Sequence, residues 1–291
     1  MTFEADLSGL PGNLLVGTSS WSSSDWQGVF YEKGTRPGDY IAEYAKRFRT
    51  VEIDSSFYHA PGAKTVEGWA EKTPPEFIFS AKVPQVITHE KGLVGCEEET
   101  RRFLEVMSLL GPRLGPLVFQ FPYVAKGKDA GEYRTGADFR RRLAAYLELL
   151  PRGFRYAVEV RNGAWIGADF LGLLRERGVA LVLSDYYTMP SLATLAERCD
   201  PLTGDFTLVR FLGNRKQMDD LIARKKREEG KAREFDEIIV DRKPEMESWV
   251  PALKHLVPRT QITFAYFNNH YAGFGPGSAA IFAQMWREMK S

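Results

Sequence analysis

Six ionisable residues stand inside short β-branched or aromatic runs, not in the segments between them: Glu52 and Asp54 in 50–54, Lys82 in 77–83, Glu159 and Arg161 in 156–161, and Arg210 in 206–211. Alternate side chains of a strand share a face. If Val51 with Ile53, Phe79 with Ala81, and Val158 with Val160 face covering helices, then Glu52 with Asp54, Ser80 with Lys82, and Glu159 with Arg161 face the other way. Gln120 and Arg210 lie toward the carboxyl ends of their runs. Bare charges turned into a fold are costly unless paired or wet, so this set should line a polar pocket. The chemistry it suits is proton transfer on a small anionic substrate, a phosphate or a carboxylate. Glu52, Glu159 and Lys82 are the catalytic candidates. Arg161 and Arg210 would hold the anion, and Asn268 and Asn269 would orient polar groups. Trp21, Tyr58, His89, Gln120 and Trp165 complete the candidate binding set. The competing structural role for the same charges is a buried network that only fills the interior with ion pairs.

The elements that must position these residues alternate along the chain. Candidate strands fall at 14–17, 50–54, 77–83, 117–121, 156–161, 179–184, 206–211 and 261–267, and amphipathic stretches at 40–48, 65–72, 98–110, 139–149, 170–177, 246–256 and 279–289. Strand and helix in alternation predict a parallel sheet with crossover helices. Eight units in 291 residues predict a closed TIM-like (β/α)8 barrel. The first turn, GTSSW at 17–21, lacks the glycine-rich fingerprint of an open dinucleotide-binding sheet, so no nucleotide cofactor is expected. No Gly-, Ser- or Pro-rich linker divides the chain, which predicts one domain over 1–291. The sixth unit has only 192–199 for a helix. The seventh is irregular, because 237–241 reads as a strand inside a connection. In a barrel, the carboxyl ends of the strands hold the active site, and Trp26, Tyr31, Asp185 and His270 also follow strands toward that end.

Composition narrows the partners. With 44% hydrophobic and 26% charged residues and a net charge of +1, the chain is of ordinary globular make-up and gives no global electrostatic case for a nucleic-acid or membrane partner. Residues 1–13 lack a basic and an apolar leader segment, and no apolar run reaches spanning length, so the expected location is cytoplasmic. Cys96 and Cys199 are read as reduced thiols. The basic run RKKREEGKAR at 224–233, within the charged stretch 215–233, is the one local feature that could serve nucleic acid; acids dilute it, and a solvated helix is the plainer reading.

Six motifs in order carry a resemblance: GTSSWSSSDWQGVFY at 17–31, TVEIDSSFYHAP at 50–61, FIFSAKVPQVITH at 77–89, VFQFP at 118–122, AVEVRNGAW at 157–165 and AYFNNHYAG at 265–273. Together they make the chain similar, over essentially its whole length, to the YecE-like family, catalogued as domain of unknown function 72. The resemblance implies a TIM-barrel-like fold and a cytosolic prokaryotic type of protein, and it brings no reaction with it. Matching motif positions are Trp21, Trp26, Gly28, Glu52, Tyr58, Lys82, His89, Gln120, Glu159, Arg161, Trp165, Asn268, Asn269 and Gly273. Many members carry Asn at the place of Asp54, and a His-containing tripeptide at the place of Asn162, Gly163 and Ala164, so a mechanism resting on Asp54 alone is not carried over. Two other functions stay open beside acid/base catalysis. One is a metal-dependent phosphodiesterase, with a single divalent metal held by Glu52, Glu159 and Asp185; four histidines are too few for a multi-zinc cluster. The other is a non-catalytic protein that binds a small ligand or nucleic acid.

Overall fold

The computed structural model describes residues 3, 5–125, 133, 135–230 and 233–289. Lys231 and Ala232 of the basic run, and Met1, Thr2 and Glu4 of the first segment, lie outside them. Eight strands, β1 (Leu14–Thr18), β2 (Thr50–Ile53), β3 (Ile78–Lys82), β4 (Leu114–Gln120), β5 (Tyr156–Glu159), β6 (Ala180–Tyr186), β7 (Phe206–Gly213) and β8 (Ile262–Phe267), form one parallel sheet in the order β1-β8-β7-β6-β5-β4-β3-β2. Between them run α1 (Tyr40–Ala45), α2 (Ala63–Glu71), α3 (Glu97–Met107), α4 (Gly136–Leu149), α5 (Ala168–Glu176), α6 (Leu192–Arg198), α7 (Arg215–Glu229) and α8 (Lys243–Leu256). After β8 come a single turn, α9 (Asn269–Ala272), and α10 (Gly275–Glu288).

The sheet curls into a nearly closed barrel whose seam lies between β1 and β2. No ladder joins these two strands, but they approach so closely that a Cβ on Gly17 would stand 2.2 Å from the Thr50 carbonyl oxygen. The hydroxyl of Tyr44, from α1, bridges the seam: it accepts from the Thr18 amide at 2.9 Å and donates to the Thr50 carbonyl at 3.2 Å. Backbone groups that a ladder would have paired are thereby satisfied in a fully buried place.

Inside, the barrel is layered. Leu15, Val118, Val182, Leu208 and Phe264 build an apolar plug. Above it the Tyr266 hydroxyl lies 2.7 Å from both Thr50 Oγ1 and Ser80 Oγ. The next layer toward the carboxyl ends is charged. Outward residues such as Val51, Ile53, Phe79, Ala81, Val158 and Val160 are buried in the larger core between barrel and helices, as the alternation requires.

The connection after β7 differs from the expectation at one place. Residues 237–241 form no strand. Instead the amides of Ile239 and Val240 both point to the Ala272 carbonyl, at 2.7 and 3.1 Å. Gly273, at φ 106°, makes room, since a Cβ there would meet the Glu237 carbonyl at 2.6 Å. The apolar residues that read as a strand are packing over the end of α9. The charged run forms α7, capped by Asn214 at its start and by left-handed Gly230 at its end. Among the described residues no helix is long and apolar enough to cross a membrane, and Cys96 and Cys199 are free thiols.

Candidate functional site

At the carboxyl end of the barrel, β2, β5 and β7 meet around one guanidinium. Arg210 is 1% exposed. Its Nε and Nη2 donate to Glu52 Oε2 at 3.1 and 2.7 Å, and its Nη1 donates to Glu159 Oε2 at 2.6 Å. Both carboxylates are fully buried. The other oxygen of Glu159 lies 2.6 Å from Arg161 Nε, so this carboxylate is held by two arginines. Oε1 of Glu52, like Oε1 of Glu159, is buried with no hydrogen-bond partner, and the two differ in their cations: among the described residues Glu52 pairs with Arg210 alone, Glu159 with both Arg161 and Arg210. Two residues further along the same face, the Asp54 carboxylate, a third exposed, reaches Lys82 Nζ at 3.0 Å and Arg210 at 3.8 Å.

These surroundings push the two buried glutamates apart. Burial raises Glu52, Arg210 only partly offsets it, and Asp54 adds repulsion, so its carboxyl titrates above the ordinary value. Burial raises Glu159 too, but Arg161 and Arg210 outweigh it and hold the group below the ordinary value. His89 stands in a single π turn after β3, Val86–Glu90, its Nδ1 2.8 Å from Thr88 Oγ1. Burial, then Lys82 and Arg161, push its imidazole down to about 4, so it is neutral near pH 7.

Above this base lie two more cations, Lys82, 7% exposed, and Arg161, partly exposed. Lys82 Nζ lies 4.1 Å from the centre of the Phe57 ring, and the Arg161 guanidinium 4.0 Å from that of Tyr186. Among the described residues the Nη atoms of Arg161 donate no hydrogen bond, which leaves that fork open to a ligand. Gln120 lies next to Glu159 across the β4–β5 ladder, and its amide donates to the Phe121 carbonyl at 3.0 Å. Tyr58 is exposed in the loop after β2.

Other candidates are placed in packing or capping. Trp21 meets Trp69 and the outward-facing Phe79 edge-on, and Trp165 stacks on Phe139. Trp26 and Tyr31 are buried aromatic anchors, with Tyr31 stacked on Tyr40. Asn268 Oδ1 caps α9 through the His270 amide, and Asn269 Oδ1 accepts from the Gly275 amide, each at 2.9 Å. The metal set needs correction. Ser184 pairs with Arg210 in the ladder and faces in, so its neighbour Asp185 faces out, where it accepts from the Tyr271 hydroxyl at 3.1 Å. Between Glu52 and Glu159 the position a metal would take is filled by the Arg210 guanidinium, and among the described residues no three His, Cys, Asp or Glu side chains are grouped to hold an ion. Tyr186 and Tyr187 were missed by the sequence reading, although adjacent tyrosines at the exit of a strand were a signal for the mouth.

The model of one family, described as protein of unknown function DUF72, matches residues 15–291. The chain belongs to that family. It is 28% identical over 219 residues to the UPF0759 protein YecE of Escherichia coli K12, covering 69% of this chain and 74% of that one. To the UPF0759 protein YunF of Bacillus subtilis it is 26% identical over 276 residues, covering 89% and 90%. A DUF72 family crystal structure from Thermotoga maritima superposes with a TM-score of 0.69 at 24% identity, over 95% of this chain and 98% of that one. A crystal structure of D-psicose 3-epimerase, at 13% identity and a TM-score of 0.51 over 92% and 89%, shares the barrel fold alone. The family and its barrel are therefore as the motifs implied.

A hollow of about 390 Å³ runs between α3 and α4 beside Thr100, Leu104, Tyr146 and Phe154. Its charged neighbours Glu97, Arg101 and Glu105 are exposed surface groups.

Proposed function

We propose that this DUF72 member is an enzyme that binds a small phosphate- or carboxylate-bearing substrate at Lys82 and Arg161 and moves a proton with Glu52. The observation that carries the reading is the unequal treatment of two buried glutamates that share one arginine. Glu159 pairs with two arginines and is held below the ordinary value, which suits it to aim Arg161 and Arg210. Glu52 pairs with Arg210 alone among the described residues and its carboxyl is raised above the ordinary value, which suits it to take up and release a proton. Asp54, above it on the same face and partly exposed, connects it to the mouth. Neutral His89 offers a hydrogen bond there without competing for the anion.

A second reading, the Glu52–Arg210–Glu159 set as a structural brace, is favoured by the near-complete burial of all three. The two readings part in a screen. Pools of phosphorylated and carboxylated metabolites are incubated with protein in heavy water and followed by proton NMR. The enzyme reading expects a metabolite that loses or exchanges protons with wild type and is untouched by an equally folded Glu52→Gln. Unaltered pools, or the same conversion by Glu52→Gln, would overturn it and leave the brace.

A further inference from the structure

The mouth repeats one arrangement on two sides. Lys82 lies under the Phe57 ring, and Phe57 meets exposed Tyr58 edge-on at 5.4 Å between centroids. Arg161 lies under the Tyr186 ring, and Tyr186 leans on exposed Tyr187 at 4.4 Å. Each anchored cation thus continues through a half-buried aromatic ring to an open one. Tyr58 and Tyr187 are 57% and 64% exposed, and Tyr123, leaving β4 between them, is 53% exposed. These three exposed rings sit in loops after β2, β4 and β6, the end where a barrel binds ligands.

We infer that the substrate class is a nucleoside monophosphate, its phosphate on Lys82 and the open fork of Arg161, its base stacked on Tyr58 or Tyr187. The inference rests on the anion-binding reading above and adds the ring. Two features select this class over a bare anion. An aromatic face next to a cation favours a flat ring, because stacking needs no particular hydrogen-bond pattern. The steps from cation to ring and from ring to ring, 4.1 and 5.4 Å at Lys82 and 4.0 and 4.4 Å at Arg161, put the open tyrosine no further from the cation than their sum, a range that includes the phosphate-to-base span of a nucleotide. The missing glycine-rich turn does not oppose this, since that turn cradles a pyrophosphate at a helix start, whereas here side-chain cations and rings would do the holding.

The test is calorimetric titration of wild type, Tyr58→Ala and Tyr187→Ala with inorganic phosphate, ribose 5-phosphate and adenosine monophosphate. The tyrosines are exposed, so neither change threatens the fold. Wild type should bind the nucleotide about tenfold more tightly than ribose 5-phosphate, the worth of one stacked ring. At least one tyrosine variant should lose that advantage and bind inorganic phosphate as before. Equal affinity of wild type for nucleotide and sugar phosphate, or an advantage intact in both variants, would overturn the inference while phosphate binding keeps the anion reading. Binding of none of the three would overturn both.

Discussion

Glu159 is the residue where the cost of the charge network is most exposed to measurement. It neutralises Arg161 and Arg210 at 2.6 Å each and is fully buried. Replacing it with Gln leaves Arg210 only Glu52 as a buried partner, so Glu159→Gln should lower stability by about 3 to 5 kcal/mol in urea unfolding. An unchanged midpoint would mean that water reaches the guanidinium groups. Which side chains turn inward was legible in the sequence, because alternation alone sorts Glu52, Lys82, Glu159 and Arg161 from their apolar neighbours. Who pairs with whom was not. Arg210 stands 158 positions from Glu52, and only strand register decides that it meets both glutamates while Lys82 meets Asp54. Register also excludes Asp185 from the inner face, although its residue type and its place after a strand run were those of a site carboxylate.

At the scale of elements, the seam and the outer face of β6 make separate predictions. Gly17→Ala would drive a methyl group into the Thr50 carbonyl and should cost about 1 to 3 kcal/mol. Tyr44→Phe leaves the Thr18 amide and Thr50 carbonyl without their bridge and should cost about 1 to 3 kcal/mol. Urea midpoints check both, and wild-type values would show that the seam relaxes freely. Asp185, between β6 and α9, is pushed up from 3.8 to about 6, mainly by burial and against the lowering effect of the Tyr271 hydroxyl. Between those two pH values the folded chain holds a proton that the unfolded chain has released. Its stabilising contribution is therefore complete below 3.8 and is lost as pH rises through about 6. Asp185→Asn should accordingly gain on the order of 1 to 3 kcal/mol over wild type at pH 7 and nothing at pH 3.5; a gain equal at both pH values would contradict the shift. Strand and helix periods located these elements to within a few residues. The strand read at 237–241 arose because a half-buried β-branched run reads the same whether it joins a ladder or packs over a helix end.

For the whole molecule, the eight-fold alternation was enough to predict the barrel, while the distribution of charge over the surface needed the coordinates. In sequence the basic run of α7 reads first as a solvated helix and only second as a nucleic-acid arm, and Arg215, Arg224, Lys225 and Lys226 pair with Asp219, Glu228, Glu237 and Glu234. Its field is largely cancelled at home, whereas at the mouth the Nη atoms of Arg161 donate no hydrogen bond among the described residues. The account therefore turns on a barrel end in which a sealed arginine holds one glutamate ionised and leaves another ready to take a proton. The most direct test is a carbon-13 NMR titration of protein labelled at the glutamate carboxyl carbons, with Glu52→Gln and Glu159→Gln used to assign the two signals. The account predicts that Glu52 titrates above the ordinary glutamate value of 4.5 and Glu159 below it. Two signals that both titrate below that value would contradict it, and would make the centre of the barrel a brace.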